Sequence, residues 1–153
     1  MRKLKAMIAG LAGAVALNVL HETVKRFDSK APRVDLIGKQ ALTKTLESVG
    51  ATPPTGASLT QATVIGDIFS NTLYYSLIGS GKGNTNWIKG IMLGLSAGIG
   101  ALSLPKHMGL DDTPVTKSVR SETLTVAYYT IGGIIAAAAF AALNKGNKKM
   151  HSF

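Results

Sequence analysis

One acidic residue, Asp67, stands inside a long apolar stretch and is the first candidate for chemistry. Asn71 follows it at i+4, so the two side chains share one face of a helix. Placing a charged side chain inside a bilayer costs free energy, so such a residue is a candidate for a functional role. Asp67 is expected either to hold a neighbouring helix, through a hydrogen bond or an ion pair with Lys25 or Arg26, or to serve ligand binding or transport.

Other polar side chains fall near the same depth if the apolar stretches are helices that cross a bilayer. His21 and Glu22 end the first stretch, and Tyr128 lies near the start of the last. With Asp67 and Asn71 they form a candidate polar cluster suited to a divalent cation, a proton relay or a lipid head group. The competing interpretation makes them interfacial residues, with Glu22 in an i,i+4 ion pair and Tyr128 in an aromatic belt.

Two short strings resemble functional motifs but lack essential residues. His21-Glu22 opens like the zinc motif HExxH, but Lys25 stands where the second histidine is needed. The segment Gly79–Lys82, GSGK, lacks the upstream glycine spacing and the following Ser or Thr of a phosphate-binding loop. Cysteine is absent, so thiol chemistry is excluded. No catalytic residue, cofactor or metal ligand is assigned, and an enzyme is the less favoured interpretation.

The composition predicts a membrane protein. Charged residues make up 16% of the 153 residues, against roughly 25% in soluble domains. Apolar residues make up 46%, and the mean hydropathy is +0.22. The net charge is +9, but the cations are scattered, which favours anionic lipid head groups as partners rather than nucleic acid.

Four apolar stretches approach the roughly 20 residues that a helix needs to cross a bilayer. The sequence therefore predicts an all-α, polytopic membrane protein with four transmembrane helices in one domain, residues 1–153. The predicted helices span about 5–24, 61–79, 87–105 and 122–144. The first stretch follows basic residues like a signal peptide, but no cleavage site follows it, which favours a retained helix. A soluble fold is disfavoured because the last two stretches show no polar face.

A further helix is predicted over about 34–49, between the first two apolar stretches. Its apolar residues recur at helical spacing, which is typical of an amphipathic helix on the membrane surface. Arg33 and Asp35 stand at its start, where they are expected to clamp it onto the other helices. A Pro-Pro pair then indicates a turn-rich linker.

The third apolar stretch carries Gly90, Gly94 and Gly98 at intervals of four residues. A helix face without side chains lets a partner helix approach closely. The expected partner is another helix of the same four-helix bundle, a different membrane subunit or a second copy of the chain.

The sequence resembles a group of uncharacterised small four-helix bacterial inner-membrane proteins. The resemblance covers most of the chain and depends on A-P-R-x-D-x-x-G, from Ala31 to Gly38, and N-x-x-Y-Y, from Asn71 to Tyr75. It implies a multi-pass protein of the bacterial inner (plasma) membrane and no activity. Lysine and arginine divide almost evenly between the two sides, but those before the first helix favour cytoplasmic termini.

Three functions are open from the sequence. The first is an accessory or structural subunit that works through helix–helix packing in a membrane assembly. The second is a small oligomeric transporter or channel that uses the polar cluster around Asp67. The third is a membrane-embedded enzyme, or a lipid- or metal-binding protein, that uses His21, Glu22 and Asp67.

Overall fold

All regular secondary structure in the described part of the chain is helical. The computed structural model describes residues 1–81 and 86–149, of which 84% are helical and none lies in a strand. Within these residues a short 3₁₀ helix, Ser76–Gly79, extends the third of six α-helices. The α-helices are α1 (Arg2–Phe27), α2 (Val34–Ser48), α3 (Gly56–Tyr75), α4 (Asn86–His107), α5 (Thr113–Thr116) and α6 (Val119–Lys149).

Three of these helices are long and apolar enough to cross a membrane. They are α1, α4 and the segment Val119–Lys145 of α6. α3 is also long, but it is not among the three, because Asp67, Ser70 and Asn71 dilute its apolar residues. The all-α class is confirmed, and the membrane class is supported through three helices rather than four.

The helices are longer than the apolar runs that predict them. α1 and α6 extend past both of their expected ends, and α3 begins at Gly56, inside the expected linker. Backbone hydrogen bonding continues through polar residues at helix ends, whereas the predictions stop where the apolar residues stop. α2 nearly coincides with the predicted 34–49, and the single turn of α5 was not predicted.

Helices α1 and α6 lie at the centre of the packing. α1 packs against α3 and α6, α4 packs against α6, and α2 contacts α3 and α5. The core combines alanines with a few large side chains, so the helix axes lie close together. Its buried residues are Ala6, Ala9, Ala14, Leu17, Tyr75, Ile78, Tyr128, Tyr129, Ala136, Ala137 and Phe140.

Glycine brings the backbones of α4 and α6 into direct contact. A Cβ atom on Gly94 would lie 2.7 Å from the Tyr129 carbonyl oxygen, and one on Gly98 would lie 2.7 Å from the Val126 Cα. A Cβ on Gly90 would lie 2.5 Å from the Gly133 carbonyl oxygen. These distances are shorter than real Cβ contacts, so the glycine face of α4 is occupied by α6 of the same chain.

Tyr75 ties the end of α3 to the middle of α6. Its side chain is 0% exposed, and its hydroxyl donates a 2.7 Å hydrogen bond to the carbonyl of Tyr129. Its neighbour Tyr74 is only half-buried and has no such bond among the described contacts. The pair therefore offers a matched test of one buried hydrogen bond.

We expect Tyr75→Phe to lower the free energy of unfolding by about 1 kcal/mol, because a buried hydrogen bond is lost while the ring is kept. Tyr74→Phe is the control and should change stability much less. Thermal unfolding of both purified variants in the same detergent measures the difference. Equal losses in the two variants would show that the Tyr75 hydroxyl adds nothing.

Candidate functional site

A polar cleft lies between α1, α2 and α3. Its volume is about 30 Å³, enough for about two water molecules. α1 supplies four of its polar residues, α2 one and α3 two. These seven are Asn18, His21, Glu22, Lys25, Asp35, Thr63 and Asp67.

The Asp67 carboxylate joins α1 to α3 in this cleft. The Asn18 side-chain amide donates to one carboxylate oxygen at 2.7 Å, and the Asn71 amide donates to the other at 2.9 Å. The alternative ion pair with Lys25 or Arg26 is not formed. No lysine, arginine or histidine among the described residues pairs with Asp67. The carboxylate is thus held by two neutral groups.

His21 contacts the aromatic residues of α6. Its ring lies edge-on to Tyr128 and Tyr129, with centroid distances of 5.0 Å and 5.9 Å. The Nε2 atom of His21 and the hydroxyl of Tyr128 are buried and have no hydrogen-bond partner. Tyr128 is only 4% exposed and Tyr129 only 7% exposed. The competing interpretation of Tyr128 as an outward aromatic-belt residue is therefore wrong, since its side chain packs inward.

Four charged residues form a cluster that we call the charge latch: Glu22, Lys25, Arg33 and Asp35. Lys25 lies 2.6 Å from Glu22 and 3.5 Å from Asp35. Arg33 donates two 2.8 Å hydrogen bonds to Asp35. Glu22 therefore pairs at i+3, not at i+4 as expected. The link from α2 to α1 passes through Asp35 and Lys25, while Arg33 orients the carboxylate.

The charge latch changes the acidity of Asp35. Partial burial raises the pKa of this carboxyl, but the hydrogen bonds from Arg33 and the charge of Lys25 outweigh burial and hold the pKa below its ordinary value. The folded state therefore favours the ionised form. Asp35 stabilises the fold above about pH 4, and this stabilisation is lost as the pH falls through the lowered pKa.

We expect Asp35→Asn to lower the unfolding free energy at neutral pH by about 1–2 kcal/mol, because two charge-assisted hydrogen bonds are lost. The gap between wild type and variant should close as the pH falls toward the lowered pKa. Thermal unfolding across a pH series measures this. Glu47→Gln, on the exposed face of the same helix, is the control. A gap that does not depend on pH would contradict the role of the ionised carboxylate.

The far end of α2 is fastened to the loop between α4 and α5. Gln40 and the backbone of Asp111 exchange two hydrogen bonds of 3.2 Å and 2.8 Å. Lys44 donates to the Met108 carbonyl at 2.6 Å. No residue of α2 is fully buried. Polar contacts at both ends therefore hold this helix beside the cleft.

The structure gathers most of the candidate cluster, though not as one ligand set. His21, Glu22 and Asp67 line the cleft, Asn71 adjoins it through Asp67, and Tyr128 lies behind His21. No group of three His, Cys, Asp or Glu is placed to hold a metal ion in residues 1–81 and 86–149.

Sequence reasoning left Asn18 out of the cluster. Its signal was a lone asparagine within an apolar stretch, four residues before Glu22. In the segment that echoes a phosphate-binding loop, Arg2 donates to the Gly79 and Gly81 carbonyls at 3.1 Å and 2.6 Å. The lysine that ends this segment, Lys82, lies outside the described residues.

Searches against protein-family models, curated proteins and solved structures find no match to this chain.

Proposed function

We propose that this chain is a four-span membrane protein that transports a small cation through the cleft around Asp67. One observation carries the proposal: a carboxylate among apolar helices is hydrogen-bonded to two amides and, among the described residues, has no cationic partner. An ionised carboxylate in a membrane without a counter-charge is costly. The site therefore favours a bound positive charge.

The position of α3 along α1 supports the fourth span. Asn18 meets Asp67 near one end of the pair, and Arg2 contacts Gly79 near the other. α3 with its 3₁₀ extension thus runs antiparallel to α1 over most of its length. At 1.5 Å per residue, Asp67 lies about 18 Å from Gly79 along the axis. This overlap supports a fourth span, because this part of α3 would lie beside α1 within the same membrane.

The outer face of α3 supports the same conclusion. Ile65, Phe69 and Leu73 are exposed and recur every four residues, which makes one apolar stripe along the helix. Such a stripe suits contact with lipid tails, while Asp67 and Asn71 face α1. The helix thus separates a lipid-compatible face from a polar one.

The small volume of the cleft favours a transporter over an open channel. About 30 Å³ is far too little for a continuous aqueous pore. Passage of a cation therefore needs movement of helices or completion of the path by a second copy, as expected for a small oligomeric transporter.

A second proposed function is that of an accessory subunit in a membrane assembly. Gly90, Gly94 and Gly98 of α4 lie against α6, so they are not offered to another protein. A subunit interface would have to use the outward apolar face of α4 instead. Its exposed residues include Ile88, Met92, Leu95 and Ile99.

We place the protein in the inner (plasma) membrane of a bacterium, with both termini in the cytoplasm. The resemblance through the A-P-R-x-D-x-x-G string supports this location. The basic residues Arg2, Lys3 and Lys5 directly at the start of α1 support the orientation.

The absence of cysteine from the sequence permits a clean test of four spans. Single cysteines at Thr55 and Ser80 flank α3 and its extension, and Ser29→Cys is the reference for the Thr55 side. Labelling with a membrane-impermeant maleimide, from outside and then after permeabilisation, should place Thr55 with Ser29 and Ser80 on the opposite side. Labelling of all three from one side would contradict a fourth span.

The transport proposal is tested with purified protein in liposomes. Under an imposed gradient, dyes that report sodium, potassium and protons should show cation flux above that of protein-free liposomes. A charged dye too large for the cleft should stay inside and so exclude leakage. Flux no greater than in protein-free liposomes would remove the transport proposal and leave the accessory subunit.

A further inference from the structure

We infer that the cleft binds one alkali-metal cation, with the Asp67 carboxylate as its charged ligand. The inference rests on the proposed function, because it names the substrate that the cleft would carry. Three properties of the site support it independently: its charge, its volume and its set of oxygen and nitrogen atoms.

One carboxylate of the cleft, that of Asp67, is not balanced by a positively charged side chain among the described residues. Within the charge latch, two carboxylates are balanced by Lys25 and Arg33. Asp67 lies outside these pairs and accepts hydrogen bonds only from neutral amides. A single positive charge, that of a proton or of a monovalent metal ion, neutralises the site, whereas a divalent ion would leave an excess. The described residues also hold no three-residue His, Cys, Asp or Glu cluster of the kind that holds such a metal.

The volume of the cleft selects against larger cations. A space of about 30 Å³ admits one or two particles of the size of water. An alkali-metal ion with one retained water fits this space. An organic ammonium or guanidinium ion does not, unless α2 moves away.

The atoms around Asp67 are suited to such an ion. The Asn18 and Asn71 amides each donate through nitrogen, so their oxygens are not used in these bonds. Rotation of an amide would present its oxygen instead. The hydroxyl of Thr63, which also lines the cleft, donates to the Leu59 carbonyl and keeps its lone pairs for accepting. Oxygen atoms of these types are the ligands that hard cations prefer.

An unpaired nitrogen atom of His21 is a further observation, independent of Asp67, that favours a ligand in the cleft. Its imidazole forms part of the cleft wall, and its Nε2 atom is buried without a hydrogen-bond partner. Buried polar atoms in native proteins are nearly always paired with protein, water or ligand. An unpaired buried nitrogen on a residue of the cleft wall therefore indicates a hydrogen-bond donor that the described side chains do not supply.

The test compares thermal unfolding of the full-length protein in detergent with sodium, potassium or choline chloride at equal ionic strength. Saturation by sodium or potassium should raise the Tm by about 5 °C relative to choline. Asp67→Asn should abolish this rise, and Glu47→Gln should keep it. Equilibrium binding of radiolabelled sodium to the wild type should give one ion per chain, which choline does not displace.

The outcomes separate this inference from the proposed function. A salt-specific rise in Tm that persists in Asp67→Asn would overturn the site. Proton flux through the wild type without any binding of sodium or potassium would overturn the alkali-metal inference and leave transport intact. Alkali-metal binding at Asp67 without flux would support the inference and remove transport. If Asp67→Asn fails to fold, the wild type decides the inference: one sodium ion bound per chain and not displaced by choline supports it, and no such binding overturns it.

Discussion

Replacement of Gly94 by alanine is expected to lower the free energy of unfolding by about 3 kcal/mol, at the upper end for overpacked sites. The added Cβ atom would lie 2.7 Å from the Tyr129 carbonyl oxygen and would also overlap the Thr130 backbone. These are backbone atoms of a long helix, so they cannot turn aside as a flexible side chain would. Only separation of α4 from α6 relieves the overlap.

A matched control is available on α3. Gly66 is also a mid-helix glycine, but a Cβ atom there would meet nothing within 4 Å. Gly66→Ala should therefore leave the packing intact and gain up to about 1 kcal/mol from helix propensity. The same chemical change is thus expected to act with opposite sign at the two glycines.

Unfolding in a graded mixture of mild detergent and dodecyl sulfate, followed by the fluorescence of Trp87 at the start of α4, measures both variants. A decrease for Gly94→Ala and no decrease for Gly66→Ala is the expected result. Equal stability of the two variants would mean that α4 does not depend on close approach to α6.

The helical class could be predicted because it follows from local composition. Long apolar runs, uncharged except for Lys89 near the start of α4, predicted α1, α4 and α6, and periodic apolar residues predicted α2 nearly to its ends. α3 was predicted in the same way, although its polar residues leave it outside the three helices that are apolar enough to cross a membrane. Helix ends were placed too far inward, since a polar residue can continue a helix but cannot mark it in a hydropathy pattern.

The partners of the site residues could not be predicted, because they depend on how each helix is rotated about its own axis. Depth alone placed Asp67 near Lys25, Arg26 and His21, whereas rotation selected Asn18 as the partner on α1. Tyr128 shows the same difficulty. A tyrosine near a helix start is typical of an aromatic belt, and only the contact with His21 reveals that it points inward.

The glycines of α4 could be predicted in part: their close approach to another helix follows from the sequence, but the identity of that helix does not. The spacing of Gly90, Gly94 and Gly98 indicates a close approach whatever the partner is. The partner is α6, which presents Gly133 opposite Gly90 and Gly132 toward Gly13 of α1. Because α6 contacts both α1 and α4 through small residues, it can lie close to two helices at once. The sequence contains the small residues of all three helices, but only the fold shows which of them pack against one another.

Asp67→Asn is expected to reduce cation flux in liposomes at least tenfold, a loss on the order of that for one charged ligand. The substitution removes the negative charge and keeps the shape of the side chain, but it turns one acceptor into a donor. Asn18 and Asn71 can rotate their amides to satisfy it. In choline chloride, where no alkali-metal ion is bound, the variant should therefore unfold at nearly the same temperature as the wild type.

A charge-exchange variant distinguishes the charge from its position. Asn18 lies 2.7 Å from the Asp67 carboxylate, so Asn18→Asp combined with Asp67→Asn returns one negative charge to nearly the same place. Partial recovery of flux in the double variant is expected if the cleft carries a cation. Full flux in Asp67→Asn would instead mean that Asp67 serves only to link α1 to α3 through a hydrogen bond. In that case the exposed apolar face of α4 becomes the place to seek a function, since the packing of the described helices leaves it uncovered.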